Sequence, residues 1–231
     1  MKKFLLIVLI AIFIMNLGLV SFASGVQGEL TVEEGADVYI TPQEELDLYA
    51  EMEAKLKLEN LRSFPDGKYK TLSIPVFEQE ENYYCGPATI KQVVHFLNSS
   101  SDNQNTIANE MGTTCNGTNM LEIRNYLNNN TSENYTYRGE VTNYYYTWLN
   151  FITTDIDIDK PVILEIDTTN IDSWPYVTEG HYVNVSGYDT KYSYGEIRIT
   201  DPWGPGLGNR WYTMEDVHQA NDQHWRKAII E

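Results

Sequence analysis

Apolar residues follow two periods along this chain, and an unbroken apolar run stands at its start. That run, residues 4–15, follows Lys2 and Lys3 and is trailed by Ser21-Phe22-Ala23. A basic start, an apolar stretch and small residues at a cleavage point form the layout of a secretory signal, so residues 1–23 are expected to be removed. The competing reading is a retained anchor, because residues 4–22 are nearly long enough to span a bilayer. No later run is apolar enough to cross a membrane, and no stable membrane insertion is expected after cleavage.

A helical period comes next. Thr41-Pro42-Gln43-Glu44 resembles a capping box with proline at the first helical position, and Leu46, Tyr49, Ala50 and Glu53 follow. This predicts a helix over 42–61 within an acidic extension, residues 24–68, that ends near the turn signal Phe64-Pro65-Asp66-Gly67. The extension is either a packed spacer or a pro-segment covering an active site. Leu72, Ile74 and Val76 alternate as in a half-buried strand over 70–77. After Cys85, the residues Ile90, Val93, Val94 and Leu97 share one helical face, and His95 falls off it. Short helices are predicted at 105–111 and 119–127, separated by a polar loop at 112–118. Residues 135–146, rich in tyrosine and asparagine, read as strand or loop. Four β-prone runs bounded by Gly, Asp and Pro follow at 161–166, 181–185, 197–201 and 211–214. Helices first and strands afterwards predict an α+β fold, with one domain over 69–231.

Composition narrows the partners. The net charge of −17 grows more negative when the two N-terminal lysines leave, which disfavours nucleic acid and anionic lipid. Basic peptides and neutral polymers remain open. The two cysteines, Cys85 and Cys115, could form a disulfide in an extracellular protein. Their spacing fits no zinc pattern, since neither CxxC nor HxxxH occurs.

The chemistry concentrates on four residues. Gly86-Pro87 leaves Cys85 at a helix N-terminus, where the helix dipole favours a thiolate, the nucleophilic form. Of the four histidines, only His181 lies in a strand-like run. His95 is ten residues along the nucleophile's own helix, and His218 and His224 read as surface residues. If residues 186–196 form a hairpin end, His181 faces Asp201, Val183 faces Ile199 and Val185 faces Ile197, with opposing Cβ atoms about 4.5–5.5 Å apart. A carboxylate could then orient the imidazole. Gln79, six residues before the cysteine, could offer its amide to an oxyanion together with the Cys85 backbone N–H.

Gln79, Cys85-Gly86-Pro87-Ala88, Gly180-His181-Tyr182-Val183 and Thr200-Asp201-Pro202-Trp203-Gly204 together resemble the papain-like cysteine peptidases. The resemblance spans roughly residues 72–230 and is strongest to the branch related to bacteriocin-processing, double-glycine leader peptidases, particularly its secreted stand-alone members. It implies a two-lobe α+β fold, with a helical lobe bearing the nucleophile packed against an antiparallel β-sheet. It further implies Gln79 as oxyanion-hole residue, Cys85 as nucleophile, His181 as general base and Asp201 as orienting acid. The expected partner is a peptide or protein substrate, with no metal or organic cofactor, and the expected state is an extracellular or envelope-associated monomer. No transporter segments accompany the domain, so coupling of cleavage to export is not expected. Cys115 has no catalytic counterpart and is expected to be a free thiol rather than a redox latch. Tyr83, Tyr84, Trp174 and Trp203 are candidates to line the cleft, with core packing as the alternative.

Two rival functions use the same scaffold. One is a catalytically silent secreted binding domain whose tyrosine- and asparagine-rich surface over 134–146 suits recognition. The other is a cell-wall amidase or transpeptidase, with the same chemistry on another amide.

Overall fold

The computed structural model describes residues 39–60, 67–191 and 194–231. The expected signal and most of the turn at 64–67 lie outside the described residues. In chain order the described residues form α1 (Gln43–Asn60), β1 (Tyr69–Thr71), α2 (Cys85–Asn98), α3 (Gln104–Glu110), α4 (Met120–Asn130) and β2 (Tyr137–Arg138). A 3-10 turn (Val141–Asn143) leads into α5 (Tyr145–Asp157), followed by β3 (Val162–Ile166), β4 (His181–Asp189), β5 (Glu196–Asp201), β6 (Gly208–Thr213), α6 (Met214–Gln223) and β7 (Ile229–Ile230). Among the described residues the fold is α+β, with six helices around one antiparallel sheet. Strands run in the order β2-β7-β3-β4-β5-β6, and β1 pairs with the far end of β4.

Both faces of that sheet are covered, which is why β3 and β4 are buried along their whole length. Alternate side chains serve alternate helical layers. Ile163 and Tyr182 join Ile90, Val93 and Val94 of α2 in one core. Leu164, Val183 and Val185 join Trp148, Ile152 and Ile156 of α5 and Val217 and Ala220 of α6 in the other. The side-chain NH2 groups of two asparagines caught between the layers find partners, as burial demands. Asn184 Nδ2 donates to Gln92 Oε1 (2.7 Å), and Asn221 Nδ2 donates to the carbonyls of Glu165 (2.8 Å) and Ala228 (2.9 Å).

The β4–β5 register differs from the one expected. Val185 faces Ile199 and Asn184 faces Thr200; past a bulge at Ser186, Gly187 faces Arg198 and Tyr188 faces Ile197. The hairpin is longer than anticipated because β4 continues to Asp189. The bulge coincides with the crossing of β1: a Cβ on Gly187 would lie 2.6 Å from the Lys70 carbonyl oxygen, so only glycine admits that backbone. The extra residue restores the alternation, and Tyr188 joins Val185 in the same core.

The strand expected over 70–77 is paired only at Tyr69–Thr71. Leu72 and Ile74 are buried as the alternation predicted, but the chain leaves β4 and crosses the sheet as an extended strap. Leu72 N–H donates to the Ser186 carbonyl (2.7 Å), Arg198 donates to the Leu72 carbonyl (3.0 Å), and Gln79 N–H donates to the Pro202 carbonyl (2.8 Å). Residues 135–146, undecided from sequence, become β2, the 3-10 turn and the start of α5. Tyr135 and Tyr137 there are buried, which removes much of the surface that the binding-domain reading requires.

Helix α1 matches the expected 42–61 segment and docks on α5. Tyr49, 2% exposed, enters the core and meets Tyr144 and Phe151 edge to face. Glu53 accepts the N–H of Thr147 in the first turn of α5 (2.9 Å), and Thr147 donates its hydroxyl to the Tyr49 carbonyl (3.2 Å). Arg138 pairs with Glu45 (3.5 Å) and Glu231 (2.7 Å).

Candidate active site

Cys85 is the first residue of α2. The helix starts there because Pro87 fixes a helical φ within the first turn, where its missing N–H costs nothing. Gly86 is imposed by a neighbour: a Cβ would sit 2.5 Å from Thr118 Oγ1. The Thr118 loop is held against the helix start by Tyr182, whose hydroxyl donates to the Thr118 carbonyl (2.9 Å). The first-turn N–H groups of α2 have no carbonyl within the helix to bond, and they carry the positive end of its dipole. The thiol is half-buried, and both Cys85 and Cys115 are free thiols. Cys115 is exposed and lies near its neighbour Asn116.

His181 opens β4 and Asp201 closes β5. They do not pair directly across the ladder as expected. In the observed register Asp201 falls level with Val183, two residues from His181 on the same side of the sheet, so parity survives and the approach is diagonal. The side chains span that offset: His181 Nε2 lies 2.9 Å from Asp201 Oδ1, both residues 2% exposed. This leaves Nδ1 for another partner, and the Cys85 side chain is near enough to act on the imidazole. Burial works against the imidazolium. The hydrogen bonds to Asp201 and Cys85 and the negative charge of both outweigh it, and the His181 pKa is pushed up to about 9.

The carboxylate of Asp201 is held from three directions. Besides His181, it accepts the Trp203 N–H at Oδ1 (2.8 Å) and the Tyr176 hydroxyl at Oδ2 (2.6 Å). Tyr176 and Trp203 stack on one another with centroids 4.1 Å apart, and each presents its ring to the edge of the imidazole, at 5.6 and 5.1 Å. The pair screens the His181–Asp201 bond from water. Burial first, and then the adjacent Asp201 charge, hold the Tyr176 phenol far above its ordinary pKa, so it remains a donor. Tyr176 had no mark in the sequence; the carboxylate it serves is 25 residues away.

Gln79 arrives on the strap, its backbone bonded to Pro202 beside Asp201. Its Oε1 is buried without a hydrogen-bond partner among the described residues. Of the aromatic candidates, Trp203 borders the site, whereas Trp174 stacks on Tyr212 (4.1 Å) in the core and Tyr84 is buried with its hydroxyl on Asn105 (2.9 Å). His224, expected at the surface, is buried, with Nε2 3.5 Å from the Glu165 carboxylate. His218 is half-buried against Tyr145 and Trp148 and bonds the Thr142 carbonyl (2.8 Å). Among the described residues, no group of His, Cys, Asp and Glu is arranged to hold a metal ion.

No curated protein matches the chain. Among solved structures it is similar to a double glycine motif protease from an AMS/PCAT transporter, in complex with the leader peptide, at 17% identity and TM-score 0.46, covering 70% of this chain and 91% of that one. It is also similar to the peptidase domain of Streptococcus ComA, a bi-functional ABC transporter involved in a quorum-sensing pathway, at 18% identity and TM-score 0.44, covering 71% and 97%. A third is xylellain, a cysteine protease from Xylella fastidiosa, at 14% identity and TM-score 0.48, covering 70% and 84%. The model of the Peptidase_C39 like family matches residues 71–228, well over half of the chain. The chain therefore belongs to the Peptidase_C39 like family and is a cysteine peptidase.

Proposed function

We propose that the protein is a secreted enzyme that cleaves peptide bonds through a Cys85–His181–Asp201 triad, with Gln79 in the oxyanion hole. The observation that carries this reading is the buried His181 imidazole, with Nε2 2.9 Å from the Asp201 carboxylate and its protonation influenced by the Cys85 side chain at the start of α2. With Nε2 committed to Asp201, Nδ1 faces the sulfur and exchanges the proton with it. The thiolate adds to the scissile carbonyl carbon, and the oxygen takes up the negative charge between the Gln79 amide and the Cys85 backbone N–H. The imidazolium gives its proton to the departing amine, leaving a thioester on Cys85. His181 then removes a proton from water, the hydroxide displaces the sulfur, and the carboxylic product leaves. Asp201 keeps the ring in one tautomer and favours the imidazolium while remaining ionised.

Helix α1 is read as a packed extension, since its described contacts run to α5, Arg138 and Thr147. Secretion rests on the composition of residues 1–23, and N-terminal sequencing of protein from the culture medium tests it: a start near Ser24 is expected. The catalytic reading is tested with a neutral haloacetamide at pH 7. Cys85 is expected to react faster than Cys115 although it is the less exposed thiol. Cys85→Ala is expected to abolish cleavage of a mixed peptide pool. Preferential labelling of Cys115, or cleavage surviving in Cys85→Ala, would overturn the assignment.

A further inference from the structure

We propose that Gln104 is a positioning residue for the oxyanion-binding amide of Gln79. This rests on the reading of Gln79 given above and adds a residue that none of the sequence motifs contains. Gln104 is the first residue of α3, and its side chain is almost wholly buried, 1% exposed. It is not needed to cap that helix, because Asn103 accepts the Thr106 N–H (2.9 Å). Instead it reaches across to the strap. Its Oε1 accepts the N–H of Glu80 (3.0 Å), and its Nε2 donates to the carbonyl of Glu78 (2.6 Å).

The two bonds straddle Gln79. One side-chain amide thus supplies the flanking peptide groups with the donor and the acceptor that a neighbouring strand would otherwise provide. The strap needs such a substitute, because residues 72–80 belong to no strand. Two other bonds complete the mounting: Gln92 Nε2 to the Phe77 carbonyl (3.0 Å), and the Gln79 N–H to the Pro202 carbonyl (2.8 Å). These bonds fix the backbone on both sides of Gln79, whose amide oxygen lies buried. An oxyanion donor accelerates the reaction only if it is already in place when charge develops, since reorganisation during the step would consume the gain. Burial of the clamp in a water-poor site also makes each of its bonds costly to break.

The clamp requires a neutral amide of this length. Glutamate keeps the shape but has no donor for the Glu78 carbonyl and brings a negative oxygen against it. Leucine provides neither bond. The experiment compares Gln104→Glu, Gln104→Leu, Gln79→Ala and the double variant Gln79→Ala/Gln104→Leu in the full mature chain. Four quantities are read: kcat and KM on a peptide substrate, the inhibition constant of a peptide aldehyde, the rate of Cys85 alkylation by a haloacetamide, and the urea midpoint. The aldehyde reports the hole, because thiolate addition creates a tetrahedral oxygen that must be bound. Alkylation at a methylene creates no such oxygen and reports only the thiol and imidazole.

Both Gln104 variants are expected to lower kcat roughly tenfold to a hundredfold with KM changed less than about threefold, and to weaken the aldehyde by a similar factor. Alkylation is expected to stay within about twofold of the parent. The double variant is expected to be no worse than Gln79→Ala alone, as befits a residue acting through another. Gln104→Glu guards against a leucine variant that fails to fold. Losses that multiply in the double variant, an aldehyde constant left unchanged, or alkylation falling in parallel would overturn the proposal. If Gln79→Ala itself left kcat and aldehyde binding intact, the oxyanion assignment would be the part that failed, and the clamp would fall with it.

Discussion

Replacing Asp201 by asparagine removes a charge and little else. The new amide can keep its oxygen toward His181 Nε2 and the Trp203 N–H, and its NH2 then faces Tyr176, whose hydroxyl can turn from donor to acceptor. What is lost is the carboxylate that favours the imidazolium. The His181 pKa stands at about 9 against an ordinary 6.5, a preference worth roughly 3 kcal/mol at 1.36 kcal/mol per unit. Burial opposes that preference, and Asp201 contributes to it both as hydrogen-bond acceptor and as charge, beside the two contributions of Cys85. A charge-assisted bond is about twice as strong as a neutral one, so Asp201→Asn is expected to remove at least one unit, about 1.4 kcal/mol. The readout is kcat/KM from pH 6 to 10 on a fluorogenic peptide, where the alkaline limb reports loss of the imidazolium that protonates the leaving amine. That limb is expected near 9 in the parent and below about 8 in the variant. Stability gives a second readout. Because folding raises this pKa, the stabilisation is complete below 6.5 and is lost as pH rises through 9. The parent should therefore lose more of its unfolding free energy than Asp201→Asn over that window. An alkaline limb within about 0.3 unit of the parent's would refute the reasoning.

Trp203→Ala removes the ring that stacks on Tyr176 and edges onto His181; opening the His181–Asp201 bond to water should lower kcat/KM about tenfold, with the urea midpoint changed by less than the equivalent of about 1.5 kcal/mol. Tyr49→Ala empties a core position that joins α1 to α5 and should cost about 3 kcal/mol by urea titration, while kcat/KM at 25 °C stays within about twofold if α1 is a packed extension. A severalfold rise in kcat/KM would identify it as an inhibitory segment instead. Asn221→Ala strands the carbonyls of Glu165 and Ala228 and the indole N–H of Trp148, and should cost at least about 3 kcal/mol, read as a fall in the chemical-denaturation midpoint.

Much of the sheet and of the thiol-bearing helix was legible. The 3.6-residue spacing of Ile90, Val93 and Val94 and the β-branched or aromatic runs at β3 to β6 each answer to a local sequence signal. Helix α5 was not legible, because its aromatic and β-branched residues disfavour helix intrinsically and Tyr144 supplies no side-chain cap. Its core positions Trp148, Ile152 and Ile156 hold it by packing, and its first turn is capped from α1 by Glu53, which accepts the Thr147 N–H. Helix α6 did carry a signal that went unread: Thr213 accepts the Asp216 N–H (3.0 Å), with Glu215 and Asp216 in the first turn. The register of β4 on β5 was offset because a bulge is set by the crossing of β1, a long-range event with no trace at Ser186 itself. The contact of His181 with Asp201 could be read because each stands at an element boundary with a recognisable neighbour, as does Cys85. Tyr176 and Gln104 could not, since each acts on backbone or carboxylate more than twenty residues away through contacts that only folding creates.

The imidazole and its carboxylate ride on strands locked between two helical layers, whereas the strap that carries Gln79 is moored by the side-chain amides of Gln92 and Gln104 and one backbone bond to Pro202. Gentle warming should therefore silence turnover before the body of the molecule melts, and cooling should bring it back. Heat tolerance of the catalyst is thus governed by the grip on one short crossing segment rather than by the strength of the sheet beneath it.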